Sequence, residues 1–159
     1  MLLQKGNVKR ILCGLLACIL LLAPATPASA ATARATTMKL EKKVGAVTLK
    51  TQSGTSLRIT DGMRLYNGNS LATEKYSYAY ISLDSSKAVK LDQSSSATLR
   101  QNGRSLELLV KSGKLFFNVD KPLGQDESMN VRTSTMVTGI RGTCGVVEVT
   151  SQTQSKLYL

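Results

Sequence analysis

The sequence predicts an all-β domain, a solenoid-like or sandwich-like arrangement of many short strands, placed after an N-terminal signal peptide. Three observations lead there. Apolar residues alternate with polar ones, as strands require when successive side chains point to opposite faces. Turn-forming dipeptides punctuate the alternation: Ser53-Gly54, Asp61-Gly62, Asn67-Gly68, Asn102-Gly103 and Ser112-Gly113, which supply the positive φ of tight β-turns. No segment after the leader carries a helical stripe; Leu106 to Val110 has helical propensity, but Gly103 and Gly113 bracket it closely. Short strands at this rhythm belong to sandwiches, barrels and solenoids.

The leader comes first. Lys5, Lys9 and Arg10 precede an apolar run from Ile11 to Ala23, then Pro24, Pro27 and Ala28-Ser29-Ala30. A basic start, a short apolar centre and a small-x-small end form a secretory signal peptide, 1–30. The run of 13 residues is shorter than the about 20 that span a bilayer. Leu15-Leu16-Ala17-Cys18 resembles a lipobox, but the residues after Cys18 are still inside the apolar run. Cleavage after Ala30 is therefore the expectation, with lipidation at Cys18 as its alternative. The expected location is the cell envelope or the outside, with membrane contact only through the leader or a lipid anchor.

Residues 31–43 are rich in Ala, Thr and Lys without alternation, and read as a flexible lead-in. The domain is expected over 44–159. Ala79, Ile81 and Leu83 share one strand face, Leu106, Leu108 and Val110 another, and Leu115, Phe117 and Val119 a third. Asp84-Ser85-Ser86 and Ser94-Ser95-Ser96 mark turns. Val146 to Thr150 reads as a strand, and Lys156 to Leu159 starts another, either a short final edge or the clipped beginning of a longer protein.

The composition narrows the chemistry. The leader holds three of the 21 basic residues and none of the ten acidic ones, which leaves 18 against 10, a charge of +8. In an exported chain such an excess favours anionic envelope polymers over nucleic acid. The basic residues are scattered, with no run longer than Lys42-Lys43, so solubility is the plainer reading. Histidine is absent, which removes Ser-His and Cys-His catalysis and most zinc sites. After the leader only Cys144 remains. One cysteine makes no internal disulfide, and a small buried cysteine packs as an apolar residue. No catalytic group, metal or cofactor is expected.

One segment is more specific than the rest. Val137-Thr138-Gly139-Ile140-Arg141-Gly142-Thr143 follows an extended Val131-Arg132-Thr133. Upstream stand Gly45-Ala46-Val47, then Leu65-x-x-Gly68-Asn69-x-Leu71-x-Thr73, Ala79-x-Ile81-x-Leu83-Asp84, and Leu108 with Gly113-Lys114-Leu115-Phe116. In order and spacing, residues 44–149 resemble the FecR domain family, whose Gly-hydrophobic-Arg-Gly-Thr signature is similar to residues 139–143. Asp84-Ser85-Ser86 replaces the usual Asp-Gly-Ser turn, and Cys144-Gly145 stands where larger residues are usual. The resemblance implies an all-β envelope module of binding or sensory type. In the best-known members a cytoplasmic N-terminal part controls a sigma factor. Only ten residues precede the apolar run here, so that activity is not carried over.

Within the signature, Gly139 and Gly142 permit close backbone approach or positive φ. Arg141 can fork onto backbone carbonyls and tie neighbouring strands, with anion binding as the alternative, and Thr143 restarts a strand. Outside it, Tyr76, Tyr78 and Tyr80 alternate with core-facing Ala79 and Ile81. They are the candidate binding surface, since outward aromatic clusters mark interaction sites; cross-strand packing is the other use for them. The expected function is a non-catalytic envelope binding or sensory module that contacts an envelope protein or an anionic polymer. The alternative is a structural scaffold piece of a larger envelope protein.

Overall fold

The structure, a computed structural model, describes residues 37–159. The expected signal peptide, 1–30, and residues 31–36 of the expected lead-in lie outside the described residues.

Among the described residues there is no helix, and twelve strands form the fold. Its frame is a meander of four long strands, three of them broken near the middle. The first is β1 (Lys39–Val44) followed by β2 (Val47–Lys50); β3 (Ser56–Leu57) pairs with β2. The second is β4 (Ser70–Thr73) with β5 (Tyr78–Ser82). The third is β6 (Lys87–Leu91) with β7 (Ser96–Asn102), and the fourth is the unbroken β8 (Ser105–Val119). Neighbours pair antiparallel. A front sheet holds β1, β5, β6 and the C-terminal half of β8, and a back sheet holds β3, β2, β4, β7 and its N-terminal half. The remaining strands extend both. β9 (Ser128–Arg132) runs parallel to Ser105–Leu109 and carries β10 (Val137–Ile140) on the back sheet. β11 (Cys144–Ser151) pairs with residues 113–118 and carries β12 (Gln154–Tyr158) on the front sheet.

Because β8 belongs to both sheets, the whole is one curled sheet. The alternating apolar residues of both halves meet in a single core: Ala79, Ile81, Leu91, Leu115, Phe117 and Val147 from the front, Leu49, Leu71, Leu99, Leu108 and Val131 from the back, all buried. Removing each of the Val, Leu, Ile and Phe side chains among them from water is worth about 1.5–3 kcal/mol. All-β class is as the alternation predicts. Of the two arrangements expected, antiparallel pairing matches a folded, sandwich-like sheet; coils of a solenoid would stack in parallel.

The chain turns between sheets at four adjacent corners, around Gly45, Tyr76, Ser94 and Gly113, each with positive φ. Hydrogen bonds join these corners into a ladder. Thr73 N–H donates to Ser95 O at 2.9 Å, Glu74 N–H to Ala46 O at 3.1 Å, and Asp92 N–H to Lys114 O at 3.0 Å. The Thr73 hydroxyl bonds the carbonyl of Asp92 as well. Gly113 therefore does not end a strand, as a turn signal would; it bends β8 in mid-course.

Residues 37–43 correct the expectation of a flexible lead-in. β1 lies in the front sheet, with Met38 and Leu40 in the core. A register shift between Leu40 and Lys42 interrupts the period of two, so this short charged strand shows no alternation in sequence.

Candidate functional site

The front sheet's outer face follows from its inner one. With Ala79, Ile81, Val89, Leu91, Leu115, Phe117 and Val147 turned into the core, the residues between them point to solvent. Register then aligns six of them side by side. Lys42 faces Tyr80, Tyr80 faces Lys90, Lys90 faces Phe116, Phe116 faces Val146, and Val146 faces Tyr158. Tyr78 flanks this row, opposite Val44. Tyr80 and Tyr158 are 39% and 48% exposed; Tyr78, Phe116 and Val146 are half-buried.

Lys90 sits among the rings. Its Nζ is 4.7 Å from the Tyr78 ring centre, 5.0 Å from Phe116 and 5.9 Å from Tyr80, within reach of cation–π attraction. One cation thus orders three rings. At the far end Tyr158 Oη donates to Glu148 Oε2 at 3.1 Å, and Lys114 Nζ pairs with Glu148 Oε1 at 3.2 Å. The hydrogen bond from Lys114, helped by the one from Tyr158, holds the Glu148 carboxyl below its ordinary range. The strip is aromatic and apolar around the central Lys90, with Lys42, Lys114 and Glu148 along its rim.

The three predicted tyrosines separate. Tyr78 and Tyr80 lie on β5 and face outward, as alternation requires. Tyr76 lies before the strand, at the corner, with φ +58° and 70% exposure. Its N–H donates to Gln93 Oε1 at 2.9 Å, and Lys75 Nζ lies 4.9 Å from its ring centre. Left-handed backbone breaks the period of two, so Tyr76 is not part of a row on one strand. Phe116, Val146, Tyr158 and Lys90 were missed. Leu115 and Phe117 both being apolar implies that Phe116 faces out, but nothing local in sequence places β8 beside β6.

The signature residues lie at the passage from β10 to β11. Gly139 pairs with Asn130 within β10 and has no positive φ. Gly142 has φ +126°, and a Cβ there would stand 3.1 Å from Pro122 Cα; it is the one signature glycine that the backbone requires. Arg141 is exposed and has no hydrogen bond or ion pair among the described residues, so the expected fork onto backbone carbonyls does not form. Thr143 precedes β11, and its carbonyl accepts the N–H of Val119 at 3.1 Å. Cys144 is exposed rather than packed, because it faces Asn118 on the outer side. The departure at Gly145 has a steric cause: a Cβ would come 2.6 Å from the Phe117 ring.

Among the described residues, no three metal-ligating side chains gather into a cluster. No curated protein and no solved structure matches the chain. A family model described as FecR protein matches residues 69–158, from the start of β4 to the end of β12 and more than half of the chain. On that match, over the strands that carry Tyr80, Lys90, Phe116, Val146 and Tyr158 as well as the 139–143 signature, the chain belongs to the FecR protein family.

Proposed function

We propose that this protein is an exported, non-catalytic module of the cell envelope that senses or binds a partner protein through the outer face of its front sheet. FecR membership suggests a sensory or signalling-type domain. The observation that carries the reading is the row Tyr80–Lys90–Phe116–Val146–Tyr158, with Tyr78 beside it. Aromatic rings prearranged around one lysine offer large contact area at little entropic cost, which is where binding energy concentrates. Lys42, Lys114 and Lys156 around the strip favour a partner with an acidic rim.

The test uses the full chain expressed for export, with a photo-crosslinking amino acid at Tyr80, at Tyr158 and, as control, at Thr48 on the back sheet. Positions 80 and 158 are expected to yield the same discrete adduct and Thr48 none. Adding Phe116→Ser should remove the adduct while the melting temperature changes little. Absence of an adduct at both front positions refutes the reading.

A second reading, a scaffold piece that grows by strand addition, is favoured by β12, which pairs only with β11 among the described residues. An exposed edge of this kind is a template for another strand. Concentration-dependent oligomers in sedimentation, abolished by Leu157→Pro, would support it.

A further inference from the structure

The outer face of the back sheet is built differently, and it is hollow. Arg100 faces Glu107, Glu107 faces Asn130, and Asn130 faces Gly139. One row along, Ser70, Thr98, Leu109 and Arg132 stand side by side. Three open depressions of about 560, 360 and 590 Å³ lie along this face, each within the about 300–1,000 Å³ of small-molecule sites. The first two share Asn67 and Arg100, and the last two share Thr51, Gln52 and Asn67. They are therefore one groove, with Asn130 at one end, Asn67 in the middle and Tyr66 at the other end.

Three features select an occupant. The first is a pair of fixed cations. Glu107 accepts Arg132 Nε at 2.6 Å on one oxygen and Arg100 Nη1 at 3.3 Å on the other. Both arginines remain about half exposed, at 50% and 55%, and each keeps N–H donors beyond those that Glu107 takes. Lys111 adds a third cation, so the groove is positive overall. The second feature is a set of amides. Asn67 Oδ1 is occupied by the Gln101 N–H at 2.9 Å, which leaves its NH₂ to donate. Asn130 has no side-chain hydrogen bond among the described residues, and Gly139 opposite carries no side chain to cover it. The third is a stacking surface. Tyr66 is 60% exposed, with the Arg64 guanidinium 5.7 Å from its ring centre.

Amides and hydroxyls match sugar hydroxyls, a flat ring matches the apolar face of a pyranose, and a guanidinium fork matches a carboxylate. We propose that this groove binds an acidic polysaccharide of the uronic-acid type, with Arg100 and Arg132 on carboxylates, Asn67 and Asn130 on ring hydroxyls, and a sugar stacked on Tyr66. The site is independent of the front strip, because none of its residues lies on that face.

Calorimetry on the full exported chain tests this with three probes: oligogalacturonate, neutral dextran of similar length, and inorganic polyphosphate as a pure charge control. Binding is expected for oligogalacturonate, none for dextran, and at least about tenfold weaker binding for polyphosphate. Arg100→Gln and Tyr66→Ala should each weaken oligogalacturonate about tenfold. Asn130→Asp, which puts a negative charge beside the ligand, should do the same at unchanged melting temperature, and it serves if either of the others perturbs folding. Tyr80→Ser should bind as the parent does. No binding of oligogalacturonate, equal binding of polyphosphate, variants without effect, or an equal loss in Tyr80→Ser would each overturn the proposal.

Discussion

Ser77 and Ser95 perform the same task at two corners of the curled sheet. Ser77 Oγ accepts the N–H of Ala46 at 2.9 Å and donates to Lys75 O at 3.2 Å. Ser95 Oγ accepts the N–H of Lys114 at 2.9 Å and donates to Gln93 O at 2.8 Å. Each serine follows a residue of positive φ, Tyr76 or Ser94, and each is pressed against a glycine, Gly45 or Gly113. Gly113 has φ +77°, and a Cβ there would stand 2.7 Å from Ser95 Cα. Left-handed backbone costs a residue with a side chain about 1–2 kcal/mol, and this contact adds to it because backbone cannot swing aside. Gly113→Ala should therefore destabilise by at least about 2 kcal/mol, read as a lower urea midpoint. Ser95→Ala removes the nearest obstructing atom, Oγ, but should not rescue it, since Cα and Cβ remain, each 2.7 Å away. Tyr76 shows the limit of sequence reading at this scale. The spacing of three tyrosines implied one face, but the corner conformation at Tyr76 turns it off the strand.

At the scale of elements, the turn from β5 to β6 is tied by Asp84. Its Oδ1 accepts the N–H and hydroxyl of Ser86 at 2.8 and 3.0 Å, and its Oδ2 takes Lys87 Nζ at 2.5 Å. Lys87 faces inward in line with Val89 and Leu91, only 4% exposed, and Glu127 reaches it from the β8–β9 connection at 3.4 Å. Burial opposes the Asp84 charge, but the bonds from Lys87 and Ser86 outweigh it and hold the carboxyl below its ordinary 3.8. A depressed folded pKa contributes stability that is complete above the unfolded value and fades as pH falls through the folded one. Urea midpoints should accordingly drop as pH is lowered below about 3.8. Asp84→Asn should be less stable than the parent at neutral pH and show a shallower drop in acid. An equal slope in both would show that the turn does not contribute to acid sensitivity. The elements were legible where alternation is regular, in β5, β6 and β8. β1 was not, because its register shift hides Leu40 among Lys and Glu.

At the scale of the whole molecule, the expected signal peptide carries its own prediction. N-terminal sequencing of exported protein should begin at Ala31, because Ala28-Ser29-Ala30 presents the small residues that a signal peptidase needs. A lipid-modified start at Cys18 would contradict it. The all-β class, the turns at Gly54, Gly62, Gly68 and Gly103, and the inward sets of Ala79 and Ile81, or of Leu106 and Leu108, were determined by the sequence alone. They depend on a period of two and on local turn chemistry, which neighbouring residues set. Which strands lie side by side was decided only by tertiary structure. Alternation says which face a residue takes, not which strand comes to flank it, and pairs such as Phe116 with Val146 or Arg132 with Glu107 join distant parts of the chain. Hence Tyr80 was visible as an outward ring, whereas the row it belongs to and the groove on the opposite face follow from how the meander bends at its four corners and closes over one core.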